Sequence, residues 1–264
     1  MDAIKFKKII EHNRKHLDEA TECARFFYEK LGFSYDACFL NFNNIDRDAF
    51  RDMGYYLFEI PIKDKEIGAM CYKTQFAKFV FLNSSIPAVN MNFAKAHEIY
   101  HLIRDDISNA VDIYSDGDEN SPEEMMANQF AGTVLMPEGS LREAMQMLRK
   151  RGITDARELV CFLMQLFSTS YRSVVIRCYE LDLFDDGEEL KYLLSESAED
   201  IRAVFEKRWL NVEILDTTGK DDSVKLQSLI QSELKELAEK DYLSQNRANR
   251  IQKSIQELLN QIKG

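Results

Sequence analysis

The sequence predicts an α+β fold with a small, mostly antiparallel sheet, a pair of helices that carry its polar motifs, and a helical C-terminal appendage. Apolar residues recur at helical spacing near both ends of the chain. Between these regions, three short runs rich in β-branched and aromatic residues are separated by turn residues, which is typical of strands. The length of 264 residues allows one full domain with an appendage.

The individual elements are predicted from apolar periodicity and from helix-ending residues such as Gly32. An acidic run at 185–189 is typical of a linker, so we divide the chain into a domain over 1–185 and a mostly helical C-terminal extension over 186–264. The predicted elements are one or two helices over 2–31, a strand over 38–41, a helix over 45–53, strands over 55–62, 67–72 and 76–82, helices over 91–104, 122–136, 141–149, 155–167, 171–181 and 198–209, a strand over 211–215, and helices over 224–239 and 245–262.

The composition excludes several classes of protein. The net charge is −11, whereas contacts to nucleic-acid phosphates need clustered Lys and Arg, so we expect no direct nucleic-acid ligand. No stretch reaches the length of a membrane span, and the first residues lack the apolar region of a signal peptide. Five cysteines, an odd number without close pairs, fit a reducing compartment. We therefore expect a cytoplasmic protein with no membrane partner.

The most informative motif is His97-Glu98-Ile99-Tyr100-His101, in the first of the two motif helices. Positions i and i+4 of a helix lie about 40° apart, so His97 and His101 can present both imidazoles to one metal ion. Glu98 lies about 100° from His97 and can reach a water at an open position of that metal. The pattern predicts a zinc peptidase with Glu98 as general base. The alternative is a helix with two surface or core histidines.

A third ligand is required, because a catalytic zinc usually has three protein ligands and one water. The cysteines are scattered and the two other histidines lie far upstream, so a carboxylate is expected, and Glu124 and Glu123 compete for the position. Glu124 could instead complete a capping box that begins at Ser121. Asn128 favours the ligand role for Glu124, since an Asn carbonyl one turn further on can accept the proton from the second ring nitrogen of a ligand histidine.

The connector between the motif helices, residues 105–120, contains six acidic residues. We predict a solvated loop, with the alternative that it borders the cleft and attracts a basic substrate. A calcium-binding loop that begins at Asp112 is nearly matched, but Tyr114 stands where such a loop needs Asp or Asn.

Residues 162–183 allow a second interpretation, a helix-turn-helix that reads DNA through Arg172 and Arg177. Glu180 and Asp182 follow in the same helix of an acidic chain, so packing against the motif helices is favoured.

The last two predicted helices, 224–239 and 245–262, are amphipathic and form a helical hairpin. The hairpin could serve a homodimer or another partner, or it could pack back on the core. The sequence favours neither interpretation.

Three motifs follow one another along the chain: His97-Glu98-x-x-His101, Glu124-x-x-Ala127-Asn128-x-Phe130-Ala131, and Leu135-Met136-Pro137. A later helical segment continues the pattern with Leu163, Phe167, Ser170, Val174 and Arg177. With these motifs together, roughly residues 1–185 resemble the ImmA/IrrE family of bacterial and phage metallopeptidases. The predicted order of helix, strand hairpin, strand and motif helix also resembles that family. Tyr100 departs from the family, which usually has Gly there, and the C-terminal third has no counterpart in it.

The resemblance implies a zincin-like core with an active-site helix pair, and action on a helix-turn-helix repressor protein that relieves repression in a mobile element, prophage or stress response. The expected site residues are Glu98 as catalytic base, His97, His101 and Glu124 as ligands of Zn²⁺, Asn128 behind a ligand histidine, and Tyr100, Tyr114 or Tyr171 as donor to the oxyanion. Two rival interpretations are a non-catalytic regulatory protein that sequesters a repressor with zinc as a structural ion, and a scaffold whose active part is the C-terminal hairpin.

Overall fold

The fold combines helices with one small sheet. The structure, a computed structural model, describes residues 2–35, 54–73, 78–103, 111–115, 121–185 and 188–263. Its elements are α1 (Ala3–Lys15), α2 (Leu17–Lys30), β1 (Tyr55–Ile60), β2 (Ile67–Lys73), β3 (Lys78–Asn83), α3 (Ala88–Ile103), β4 (Val111–Ser115), α4 (Pro122–Leu135), α5 (Glu138–Lys150), α6 (Ala156–Phe167), α7 (Tyr171–Glu180), α8 (Glu188–Ser195), α9 (Ala198–Lys207), a 3-10 turn (Val212–Leu215), α10 (Ser223–Glu239) and α11 (Gln245–Lys263).

The α+β class is confirmed, and the predicted strand over 211–215 is wrong. Val212–Leu215 form a 3-10 turn, because the Asn211 side chain accepts a hydrogen bond from the Glu213 backbone N–H at 3.1 Å and so caps a helical turn. The predicted strand over 38–41 and helix over 45–53 lie outside the described residues.

The sheet has the strand order β1-β3-β2-β4. β1 runs parallel to β3, whereas β2 is antiparallel to both β3 and β4, so a mostly antiparallel sheet is confirmed. β1 and β2 follow one another in the chain but are not neighbours, because β3 lies between them. The expected hairpin of the first two strands is therefore wrong, and β2 pairs with β3 instead.

The acidic connector does not consist of a solvated loop alone. Val111–Ser115 form β4, paired with β2, so the loop prediction is wrong for these residues. Their alternating sequence, with Val111 and Ile113 on either side of Asp112, is typical of a strand, although the residues around it are acidic. Asp112 lies within this strand instead of at the start of a calcium loop.

The two faces of the sheet pack against different helices. Side chains alternate across a strand, so Val80 and Leu82 of β3 belong to the main core, whereas Phe79 and Phe81 face the other way. α3 packs against β2 and β3 on the first face. The second face is covered by α10 and α11 through a separate apolar cluster that contains Phe58, Ile60, Phe79, Phe81, Leu226, Leu229, Ile230, Ile255 and Leu259.

Backbone hydrogen bonds also join the C-terminal helices to the sheet. The Asp222 backbone N–H donates to the Glu59 carbonyl at 2.8 Å, and the Glu59 N–H donates to the Asp222 carboxylate at 3.0 Å. At the other end of the hairpin, the Lys63 N–H donates to the Ile262 carbonyl at 2.9 Å. The hairpin thus packs back on the core, and its role in a homodimer stays a prediction.

The helix pair α6 and α7 lies in the core. Val174 and Cys178 are buried, and Arg177, which the helix-turn-helix interpretation assigns to DNA, is only 1% exposed. Arg177 is therefore not available to a nucleic acid.

Among the described helices, none is by itself long and apolar enough to cross a membrane, and α6 and α7 pass that test of length and composition only when taken together across their 106° bend.

We expect Leu259→Ala to lower the free energy of unfolding by about 2–4 kcal/mol, because it leaves a cavity between the sheet and α11. Leu258→Ala on the same helix is the matched control, with an expected change under about 0.5 kcal/mol. The two leucines are 5% and 54% exposed. Urea unfolding of both variants measures the difference, and equal effects would contradict the packing of α11 on the sheet.

Candidate metal centre

A buried asparagine fixes the chain where it leaves β3 and approaches α3. The Asn83 side-chain oxygen accepts hydrogen bonds from the Ile62 and Ser85 backbone N–H groups at 3.0 and 2.9 Å. Its amide nitrogen donates to the Asp64 and Ile67 carbonyls at 3.0 and 2.8 Å. One side chain therefore joins the end of β3 to the turn between β1 and β2, and α3 begins from a fixed point.

Both ends of α3 are held by residues distant in the sequence. At its start, the Ala88 N–H donates to the Asp216 carbonyl at 2.9 Å, so the C-terminal third of the chain contacts the first turn. In its last turn, the Tyr55 hydroxyl donates to the Leu102 carbonyl at 2.8 Å. The motif residues lie between these two anchors.

The second motif helix, α4, begins as its sequence predicts. Ser121 has an extended backbone and its hydroxyl accepts from the Glu124 N–H at 3.1 Å, with Pro122 in the first turn. Near the other end, the Tyr28 hydroxyl donates to the Val134 carbonyl at 2.8 Å. The Ser121 cap thus uses the backbone of Glu124 and leaves its carboxylate available for another contact.

His97, His101 and Glu124 converge on one point between α3 and α4. The Nε2 atoms of the two histidines are 3.2 Å apart. The Glu124 carboxylate lies 3.0 Å from His97 Nε2 through one oxygen and 3.4 Å from His101 Nε2 through the other. One ligand atom from each residue lies within 4.8 Å of the others, so the three side chains can hold a single ion.

Glu123, the competing carboxylate, occupies a different position. Its nearest oxygen is 3.8 Å from His101 Nδ1, the ring nitrogen that faces away from the cluster, and its side chain is 62% exposed. The Glu124 side chain is 20% exposed and contacts both Nε2 atoms. The geometry therefore favours Glu124 as the third ligand.

Asn128 orients the first histidine. Its side-chain oxygen lies 3.0 Å from His97 Nδ1, so this nitrogen can carry the proton and leave Nε2 free to bind a metal. Because Asn128 lies one turn after Glu124, α4 supplies both a candidate ligand and the acceptor behind another one.

The cluster favours an ionised carboxylate. Burial, the largest single effect, raises the pKa of Glu124, but the hydrogen bond with His97 and the charges of His97 and His101 together outweigh it and hold the pKa below its usual value. A carboxylate must lose its proton before it can bind a metal, so Glu124 is suited to a ligand role at neutral pH.

The predicted catalytic base and oxyanion donor are both buried in α3. Glu98 is 1% exposed and follows His97 directly. The Tyr100 ring packs edge-on against His101 and tilted against Phe130, with 5.6 Å between ring centroids in each pair. It thus supports the imidazole from the core side. The donor role of Tyr100 stays a prediction, as do those of Tyr114, in β4, and Tyr171, in α7.

Sequence reasoning missed the side chains that hold the two motif helices. Asn83 stands at the junction of an apolar strand and a Ser-Ser turn, where a polar residue can be recognised as a turn former but its four hydrogen bonds cannot be foreseen. In the sequence, Arg177 is recognisable only by its spacing and its charge. In the structure its Nε donates to the Met136 carbonyl at 3.2 Å, at the C-terminal end of α4.

The donor set fits a divalent metal with an open position. Two imidazole nitrogens and one carboxylate oxygen are a ligand set of catalytic zinc sites, which keep a fourth position for water or substrate. The hydrogen bond that His97 Nδ1, a ring nitrogen outside the cluster, donates to the Asn128 side-chain oxygen is also usual around such ions.

We expect Glu124→Gln to weaken Zn²⁺ binding by about 100-fold or more, because loss of an outer contact alone costs about 10- to 100-fold and this change removes a charged ligand. Glu123→Gln is the matched control, with an affinity within about threefold of the original, as for an exposed charge. Competition with a fluorescent zinc chelator measures both. Equal losses, or a larger loss in the Glu123 variant, would contradict the assignment of Glu124.

The comparison with known families agrees with this geometry. Residues 50–179 match the family model Peptidase_M78, described as the IrrE N-terminal-like domain, and this range contains the convergent cluster and its supporting helices. Among curated proteins, none matches the chain. Residues 50–179 of the chain are thus similar to the ImmA/IrrE family of metallopeptidases.

Proposed function

We propose that the protein is a zinc-dependent endopeptidase. The observation that carries this proposal is the convergence of His97, His101 and Glu124 within 4.8 Å, in a region of the chain that matches a peptidase family model. Glu98 lies next to His97 in the buried helix, where a general base is needed.

A bound Zn²⁺ would lower the pKa of a water and polarise the scissile carbonyl. Glu98 takes a proton from the attacking water while the water oxygen bonds to the carbonyl carbon. As the carbon–nitrogen bond breaks, Glu98 returns that proton to the leaving amine. The carboxylate is thus regenerated in each turnover, and Asn128 keeps His97 in one tautomer throughout.

The substrate chain is proposed to bind as an added strand on β4. The central strand β3 has no free edge for such a substrate, because it is paired with β1 on one side and β2 on the other. β4 pairs with β2 and is the last strand of the described sheet, next to α3. An extended peptide on this side would lie close to the cluster.

The proposed substrate is a helix-turn-helix repressor, as the family resemblance implies. The net charge of −11 supports a basic protein partner, since DNA-binding domains carry clustered positive charge. Cleavage would relieve repression in a mobile element, prophage or stress response. The cytoplasmic location and a homodimer through α10 and α11 stay predictions.

Glu98→Gln separates catalysis from binding. The variant should fold, bind Zn²⁺ and lower cleavage of the repressor by about 100- to 10,000-fold, because the isosteric amide cannot accept the proton. The measurement is cleavage of purified repressor by the zinc-loaded protein, with reporter expression from the repressed promoter in cells. Glu257→Gln on α11 is the control and should cleave like the original protein.

The rival interpretation predicts a different result. A regulatory protein that sequesters the repressor, with zinc as a structural ion, needs no base at position 98. If Glu98→Gln induces the reporter as well as the original protein does, catalysis is not the function and sequestration is favoured. A reporter response that depends only on α10 and α11 would favour the scaffold interpretation.

A further inference from the structure

Contacts between α3 and α4 repeat at intervals of one helical turn, here called rungs. In the first rung, His101 Nε2 lies 3.4 Å from the Glu124 carboxylate. One turn along each helix, in the second rung, His97 Nδ1 lies 3.0 Å from the Asn128 side-chain oxygen. Residue numbers fall along α3 as they rise along α4, so the two helices are antiparallel, and each further rung lies about 6 Å beyond the last.

The third rung falls four residues further along each helix, where it pairs Phe93 of α3 with Gly132 of α4. Phe93 is half-buried, Gly132 is buried, and both line a cavity of about 720 Å³. Asn128 of the second rung lines the same cavity, which therefore adjoins the metal cluster. Its volume is within the range of roughly 300–1,000 Å³ that is usual for small-molecule sites, so it can hold a large side chain.

Gly132 leaves a gap opposite Phe93 in the wall of this cavity. The residue is buried, yet a Cβ at its position would meet no neighbouring atom within 4 Å. Its φ is not positive, so the backbone conformation does not require glycine, and glycine inside a helix is less favourable than alanine. The absence of a side chain thus has one structural consequence, which is the space that it leaves beside the second rung.

Partly exposed apolar side chains line the cavity on the four helices that meet here. They are Ile9 of α1, Phe93 of α3, Met125 of α4 and Ile176 of α7. α1, α4 and α7 pack on one another, and α3 packs on α4. Met125 and Gly132 are seven residues apart on α4 and therefore share one of its faces. An apolar side chain that enters between these helices is stabilised by leaving water.

The buried charged groups of the cavity already have partners. Among the described residues that line it, Arg177, Glu180 and Glu196 have buried charged side chains. Arg177 and Glu180 form an ion pair with each other at 2.5 Å, and Glu196 pairs with Arg157. A charged substrate side chain would lose its water here without gaining one of these groups as a counter-ion, so an apolar side chain is favoured.

We propose that Phe93 and Gly132 determine the specificity of the peptidase, because the gap between them receives a bulky apolar side chain from a residue beside the scissile bond. The inference rests on the proposed function, which places the scissile carbonyl at the metal cluster. One residue of extended chain covers about 3.3 Å, and a side chain such as Leu, Met or Phe supplies the rest of the distance of about 6 Å from the second rung. A small side chain leaves the gap empty, and a charged one enters it unpaired, so both are disfavoured.

Zinc-binding probes test this inference without cleavage of any bond. A hydroxamate group binds the metal, and an attached side chain then lies beside it. N-acetyl-leucine and N-acetyl-alanine hydroxamates present an isobutyl or a methyl group on the amino-terminal side, and 2-isobutylmalonyl and 2-methylmalonyl hydroxamates present the same groups on the carboxy-terminal side. In one of these pairs, the isobutyl probe should bind the full-length, zinc-loaded protein at least about tenfold more tightly, because it buries more apolar surface. Isothermal titration calorimetry measures both pairs.

Variants of two glycines locate the site. Gly132→Leu should fill the gap and reduce the isobutyl preference to less than about twofold, whereas Gly139→Leu, at an exposed position of α5 with similar open space, should leave it unchanged. Gly132→Ala should reduce the preference by about threefold and serves if the leucine variant does not fold, since alanine favours the helix. Equal binding within both pairs, no binding of any probe, or an unchanged preference in every folded Gly132 variant overturns the inference.

Digestion of a random peptide library keeps this inference apart from the proposed function. Mass spectrometry of the products should show Leu, Met or Phe enriched over Ala beside the cleaved bond, on the side that the preferred hydroxamate pair identifies, and Gly132→Leu should remove the enrichment. Cleavage without enrichment overturns the inference and supports the peptidase. A hydroxamate preference without cleavage of any peptide contradicts the peptidase and retains the gap as a binding site for apolar groups beside the metal.

Discussion

The convergence of two imidazoles and one carboxylate between α3 and α4 is the constraint on which the site depends. Groups that share a metal must be held within a fraction of an ångström, so the two helices must keep one relative position. They pack directly against each other, and Asn128 of α4 contacts His97 of α3 at 3.0 Å beside the cluster. α4 thus supplies both a candidate ligand and support for a ligand of α3.

Buried polar side chains fix these helices at their ends, whereas apolar packing fixes their faces. Asn83 sets the entry to α3, and Tyr55 binds the carbonyl of Leu102 in its last turn. Arg177 binds the Met136 carbonyl, where α4 ends. Hydrogen bonds are directional, whereas apolar packing is not. The hydrogen bonds therefore specify the rotation of a helix and its position along its axis more closely than packing alone.

The C-terminal third belongs to the scaffold of the site. The contact between Ala88 and Asp216 joins it to the first turn of α3, and α10 and α11 cover the outer face of the sheet on whose inner face α3 lies. The match to the family model ends at residue 179, before the C-terminal residues that make these contacts. In this chain, the position of a shared family motif is thus supported by a segment outside that model.

Residue spacing alone predicts the helices of both motifs, the mostly antiparallel sheet and the two histidines of the cluster, because helical spacing brings His97 and His101 to one face and Ser121 marks the start of α4. The choice between Glu124 and Glu123 required the packing of the two helices, because it depends on how α4 is rotated against α3. The tertiary structure also decided the strand order, the strand in the acidic connector and the packing of the hairpin. These features depend on packing between residues distant in the sequence, such as the apolar cluster that includes Phe81 and Leu259, and local periodicity does not encode such packing.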